Sequence, residues 1–87
     1  MYVILVYDVN VKRVAKVLDI ARRYLSWVQN SVLEGELTRA QLQRLRAELG
    51  DVIDEREDSV LFYVLRSTKG MQRIELGTPK ADTGWIV

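Results

Sequence analysis

The chain has 87 residues, 48% of them hydrophobic, and its 13 basic and 12 acidic residues leave a net charge of +1. This length predicts one small domain with a single core, and the apolar content excludes a disordered chain. Cysteine and histidine are both missing from the sequence. Disulfides, thiol nucleophiles and the commonest general base and metal ligand are therefore excluded. Catalysis would depend on carboxylates, Lys, Arg, Tyr, Ser or Thr, with a hard cation bound by oxygen ligands.

Nothing in the sequence indicates a membrane protein. No apolar run approaches the roughly 20 residues that a membrane span requires, and the amino terminus reads as a strand rather than a signal peptide. We expect a cytoplasmic protein with no membrane contact.

The first predicted element is an apolar strand, YVILVYD (2–8), whose lack of polar alternation is typical of a central strand covered on both faces. It ends on Asp8, and Asn10 follows as the expected cap of a helix. Apolar residues then recur at helical spacing and predict a first helix over about 11–24: Val14, Val17, Leu18, Ala21 and Leu25.

The middle of the chain predicts strand structure followed by a second helix. SWVQNSVLEGEL (26–37) is either one bent strand or a tight pair that breaks at Asn30 and Ser31. Thr38 and Gln41 form a capping box, which predicts a helix over about 39–49 with Gly50 at its end.

The last part of the chain predicts two more strands and a tail. SVLFYVLR (59–66) is strongly apolar, and QRIEL (72–76) alternates as a short strand does. The apolar end, Trp85 to Val87, would dock either on a partner's sheet edge or on its own core.

This order predicts an α+β fold of the ferredoxin-like sandwich type, with two helices on one face of an antiparallel sheet. We expect a single domain over 1–87, with a core at 1–77 and a tail at 78–87 that docks on the partner protomer. Segments 2–8 and 59–66 are apolar on both faces, yet two helices cover only one. A homodimer that packs sheet to sheet would hide the second face.

The charges are distributed unevenly. The acidic run 51–58 contains five carboxylates against Arg56, and the first helix has an excess of basic residues over Asp19. These basic residues are either a nucleic-acid-binding surface or an ordinary solvated face: Lys12, Arg13, Lys16, Arg22 and Arg23.

Asp8 is the main candidate for a catalytic residue and metal ligand. Its ordinary role would be turn chemistry. If a dimer axis passes near the strand end, two Asp8 carboxylates converge and require a proton or a cation between them. Mg²⁺, or Mn²⁺ in its place, suits a site with so few protein ligands. Tyr7 would support Asp8 as a nearby hydroxyl or pack at the dimer interface, and Asn10 would support it as a helix cap.

Four stretches together resemble one known family: YVILVYDVN, the basic first helix, WVQNSVLEGEL with its helix-opening Thr38, and DSVLFYVLR. The chain is similar, from residue 2 to about 77, to the small CRISPR-associated endonuclease of the spacer-acquisition module, the second of the two universal Cas proteins. The resemblance implies a ferredoxin-like homodimer whose carboxy-terminal strand crosses to the partner. It also implies Mg²⁺-dependent cleavage of RNA or DNA, and a scaffold role with the CRISPR integrase around incoming spacer DNA.

Within this resemblance, Asp8 matches the family's metal ligand, Tyr7 the residue before it and Arg13 a basic helix position. Leu33 and Trp27 depart from the family pattern, which implies weaker or differently selective cleavage. Two other functions remain open: a toxin-type ribonuclease on the same fold, and a dimerisation or regulatory module without catalysis.

Overall fold

The structure is a computed structural model that describes residues 1–66 and 70–78. Its elements alternate as strand, helix, two strands, helix and two strands. In chain order they are β1 (Tyr2–Asp8), α1 (Val11–Ala21), β2 (Ser26–Gln29), β3 (Val32–Glu36), α2 (Arg39–Gly50), β4 (Ser59–Leu65) and β5 (Met71–Gly77). The predicted tail, 78–87, lies almost entirely outside the described residues.

The five strands form one sheet in the order β2-β3-β1-β4-β5, and every neighbouring pair is antiparallel. The predicted α+β class with an antiparallel sheet is confirmed, and the first strand is central. The middle segment is the tight pair rather than one bent strand. Asn30, with a φ of 43°, forms the turn between β2 and β3 in the left-handed region that asparagine tolerates.

Both helices begin at the predicted caps. The Asn10 side chain accepts a hydrogen bond from the Lys12 N–H at 2.9 Å. At the second helix, the Thr38 hydroxyl accepts from the Gln41 N–H and the Thr38 N–H donates to the Gln41 side chain. The first helix ends three residues before the predicted boundary, because the chain continues in turns after Ala21 that still bury Leu25.

The core lies between both helices and one face of the sheet. Alternate strand residues face the helices and form a single apolar cluster with them: Val3, Leu5, Tyr7, Leu33, Val60, Phe62 and Val64 from the strands, and Val17, Ile20, Ala21, Leu42, Leu45 and Leu49 from the helices. None of the helices in the described part of the chain is long and apolar enough to span a membrane.

The other side of the sheet, which we call the outer face, carries the remaining strand residues. Cross-strand pairing places there Tyr2, Ile4, Val6 and Asp8 of β1, Val32, Glu34 and Glu36 of β3, Ser59, Leu61, Tyr63 and Leu65 of β4, and Met71, Arg73 and Glu75 of β5. Its centre is buried within the chain, whereas Leu65 and Met71 are 38% and 59% exposed. The outer face is therefore mostly apolar, with charges toward its edges.

Candidate active site

Asp8 is the last residue of β1 and lies at one end of the outer face. It pairs with Ser59 of β4, which is buried, while Asp8 itself is exposed. The side chains of Val6 and Asp8 share this face because strand residues two apart point the same way. The carboxylate is thus accessible at the edge of an apolar surface.

Tyr7 lies on the opposite side of the sheet from Asp8. It is 6% exposed, belongs to the helix-side core, and its hydroxyl donates to the Asn30 carbonyl at 3.4 Å. Burial raises the pKa of the Tyr7 phenol above its ordinary value. Successive strand residues alternate in direction, so Tyr7 packs in the core of its own chain and not on the outer face.

Asn10 and Asp58 fix the turn that follows Asp8. Asp58 is completely buried, and one of its oxygens accepts from the Asn10 N–H at 2.8 Å while the other accepts from the Asp54 N–H at 2.8 Å. The Asn10 carboxamide also donates to Glu57 at 2.9 Å. The prediction that Asn10 caps α1 is confirmed, and its backbone N–H also bonds to the side chain of Asp58, the residue before β4.

Arg13 completes this cluster. Its guanidinium bonds to both oxygens of Asp58 and, at 2.7 Å, to Glu57. The Arg13 hydrogen bonds outweigh the opposing effect of burial and hold the pKa of Asp58 at about 2. The Asp58 carboxylate in turn raises the pKa of Arg13. The guanidinium therefore neutralises part of the acidic run 51–58 and is held away from the exposed basic surface.

Sequence reasoning missed this cluster, although the sequence contained a signal for it. In an antiparallel sheet, the segment before β4 meets the segment after β1, and Asp8 pairs with Ser59. Asp58 is the next residue outward from Ser59, and Asn10 lies two residues beyond Asp8. Because the segments before β4 and after β1 lie side by side, the carboxylate directly before β4 could have been predicted to contact the start of the basic helix.

The other four predicted basic residues are exposed, but they differ in their contacts. Arg23 pairs with Asp19 at 3.2 Å and with Glu48 at 3.6 Å. The Arg22 guanidinium lies over the ring of Trp27, 5.6 Å from its centroid. Lys12 and Lys16 have no ion pair within residues 1–66 and 70–78. Of these four residues, Lys12, Lys16 and Arg22 therefore remain available to phosphates.

One chain by itself supplies few ligands for a metal. Among the described residues, no group of three or more acidic side chains is close enough to hold an ion. Glu34 and Glu36 share the outer face with Asp8, but they pair with Ile4 and Tyr2, at least four residues, or about 13 Å, along β1. Asp8 fits a cation such as Mg²⁺, which is satisfied by one or two carboxylates together with water and substrate phosphates.

Comparison with known proteins identifies relatives over the whole chain. The sequence profile of the family described as CRISPR associated protein Cas2 matches residues 1–73. A CRISPR-associated endoribonuclease Cas2 of Thermotoga maritima is 58% identical over 86 residues, which cover 99% of both chains. The protein of the same name from Methanosarcina acetivorans is 49% identical over 87 residues, which cover 100% of both chains.

Solved structures show the same fold. A crystal structure described as Cas2 matches with a TM-score of 0.74 at 42% identity and covers 100% of this chain and 98% of that chain. The crystal structure of Streptococcus pyogenes Cas2 at pH 6.5 matches with a TM-score of 0.70 at 36% identity, covering 78% of this chain and 89% of that chain.

Proposed function

Because this chain belongs to the CRISPR associated protein Cas2 family, we propose that it is a metal-dependent endonuclease that hydrolyses phosphodiester bonds in RNA or DNA. Relatives that carry the name endoribonuclease make RNA the first substrate to test. Membership of this family also favours the nuclease over a dimerisation or regulatory module without catalysis.

The position of Asp8 is the observation that carries this proposal. It is an exposed carboxylate at the end of a strand whose other residues are buried or half-buried. The hydrogen bond from the Asn10 N–H to the Asp58 carboxylate holds the chain immediately after Asp8. The backbone that carries this carboxylate is therefore held in place, as the support of a metal ligand requires.

The outer face supports a homodimer that packs sheet against sheet. Tyr2, Leu65 and Met71 lie in one row across β1, β4 and β5, and the latter two are exposed. A two-fold interface would bury this row in both chains. Asp8 lies on the same face at the opposite end of β1, so a two-fold axis that passes near that end would bring two Asp8 carboxylates toward each other. The strand order β2-β3-β1-β4 is also what we expect of a ferredoxin-like sandwich.

Two Asp8 side chains, one from each protomer, would hold the cation. When bound, Mg²⁺ or Mn²⁺ activates water and neutralises charge on the phosphodiester. The protein's own residues would bind and orient the substrate: Lys12 and Lys16 would contact phosphates along α1. Arg13 would act through Asp58, by fixing the start of that helix. The same basic surface is available to duplex DNA for a scaffold role with the CRISPR integrase.

The substitution Asp8→Asn tests the nuclease. It keeps the shape of the side chain but removes the charge that binds a cation, so metal-dependent cleavage of a labelled RNA or DNA oligonucleotide should be lost. Asp51→Asn is the matched control, because Asp51 is an exposed carboxylate at the end of α2. Undiminished cleavage by pure Asp8→Asn protein would refute the role of Asp8.

A further inference from the structure

Trp27 is a large aromatic residue exposed on the edge strand β2. It is 49% exposed, and among the described strands β2 pairs with β3 alone. The indole N–H donates to the Asn30 carbonyl at 2.8 Å. The left-handed turn at Asn30 belongs to the same hairpin, so the hairpin itself fixes the orientation of the ring.

A cation lies against this ring. The Arg22 guanidinium is 5.6 Å from the Trp27 centroid. In the described part of the chain, Arg22 has no ion pair, whereas neighbouring Asp19 is paired with Arg23. A shallow cavity of about 260 Å³ adjoins Arg22 on its helix side, and Ala15, Leu18 and Asp19 also line it. The guanidinium therefore has open space beside it, and none of the described carboxylates forms an ion pair with it.

We propose that Arg22 and Trp27 form a platform on which an unpaired base of a single-stranded nucleic acid stacks. The proposal rests on the nucleic-acid binding proposed above. Trp27 offers a flat apolar surface to the base, and Arg22 offers a positive charge to the adjoining phosphate or a second plane to stack on. Because the ring is already held by Asn30, little side-chain freedom is lost on binding.

The charge beside the ring distinguishes a nucleic acid from an apolar protein partner. Burying Trp27 under an apolar surface would also bury the unpaired Arg22 guanidinium, which is unfavourable without a counter-charge. A nucleotide supplies both requirements, a base for the ring and an anion for the guanidinium. In a duplex the bases are stacked inside the helix, so the platform should select single strands.

The test measures affinity for a labelled 20-nucleotide single strand and for its blunt duplex, with Trp27→Ala and the control Val28→Ala. Val28 is the next residue and is 51% exposed. Loss of one stacked base should weaken single-strand binding by about 5- to 100-fold. The factor by which Trp27→Ala weakens single-strand binding should be similar at low and high salt, because stacking releases few counterions. Duplex binding and the Val28→Ala variant should be unaffected.

Two further measurements separate stacking from a structural role. Trp27→Phe keeps an aromatic ring and should retain most of the single-strand affinity of the wild-type protein. Arg22→Lys keeps the positive charge but not the planar guanidinium, and it should retain only part of that affinity. In a Trp85→Phe background, Trp27 is the remaining tryptophan. Its fluorescence should be quenched by the single strand and not by the duplex.

The outcomes distinguish this inference from the proposed function. If Lys12→Ala/Lys16→Ala weakens binding and Trp27→Ala does not, nucleic-acid binding stands and the platform is refuted. An equal loss for single strand and duplex would refute selection of unpaired bases. If the wild-type protein binds neither nucleic acid, both proposals fail.

Discussion

Replacing Asp58 should be among the most damaging single changes in the chain. Asp58→Ala removes the acceptor of two backbone N–H groups, those of Asn10 and Asp54, and the main partner of Arg13. Asp58 is completely buried, and the Arg13 side chain is only 19% exposed. Leaving such a cation without its partner, together with unpaired donors, should lower the free energy of unfolding by about 3–5 kcal/mol. This is a large share of the roughly 5–15 kcal/mol typical of a domain.

Chemical unfolding followed by circular dichroism, at one fixed protein concentration, measures the effect. Glu57→Ala is the control: Glu57 bonds to the same Arg13, but its side chain is 50% exposed, so the loss should be under about 1 kcal/mol. The double variant Asp58→Ala/Arg13→Ala should lose less than the sum of its single variants, because no cation is left unpaired. Equal losses for Asp58→Ala and Glu57→Ala would refute the reasoning.

The pH dependence of stability gives a second check on Asp58. Its pKa is about 2 in the folded chain, lower than the ordinary value near 4 in the unfolded chain. The carboxylate therefore stabilises the fold fully above about pH 4, and the contribution, about 2 kcal/mol, is lost as the pH falls to about 2. In Asp58→Asn this part of the acid sensitivity should disappear. An unchanged pH profile would mean that the pKa of Asp58 is not lowered in the folded chain.

Two other predictions concern the sheet. Gly77 has a φ of +85° and an added Cβ would come within 2.0 Å of the Asp58 carbonyl oxygen, so Gly77→Ala should lower the unfolding free energy by more than about 2 kcal/mol. Gly70→Ala, at a φ of +80° but in open space, should lose only about 1 kcal/mol, and similar losses for both would contradict the clash. Met71→Glu should weaken the proposed dimer in analytical ultracentrifugation, because Met71 is exposed on the outer face. Gln72→Glu, on the other face of the same strand, should leave the dimer intact; equal dimer fractions for both would argue against sheet-to-sheet packing.

The elements of the fold were largely predictable because their signals are local. The apolar run of β1, the cap at Asn10 and the capping box at Thr38 each depend on residues within one turn or one strand. The end of α1 was predicted three residues too late, since Leu25 is buried from a turn rather than from the helix. Leu25 is buried at the spacing expected of a helix, although the residues after Ala21 form turns.

The candidate site was only partly predictable, because its main contacts join distant parts of the chain. Arg13 and Asp58 are 45 residues apart in sequence, and their meeting depends on the register between β1 and β4. The alternation of side chains along β1 predicts that Tyr7 and Asp8 lie on opposite faces of the sheet. It does not predict which of the two faces the helices cover. Trp27 departs from the family pattern in sequence, but its contact with the Arg22 guanidinium is visible only in the structure.

The proposal that two Asp8 carboxylates share one cation is tested most directly by counting bound metal. Titration of the purified dimer with Mn²⁺, followed by electron paramagnetic resonance, should give one tightly bound ion for every two chains. The ion should be lost in Asp8→Asn and retained in Asp51→Asn, in parallel with cleavage of a labelled RNA. An ion that binds equally well to Asp8→Asn would contradict the shared site, and so would one ion for each chain.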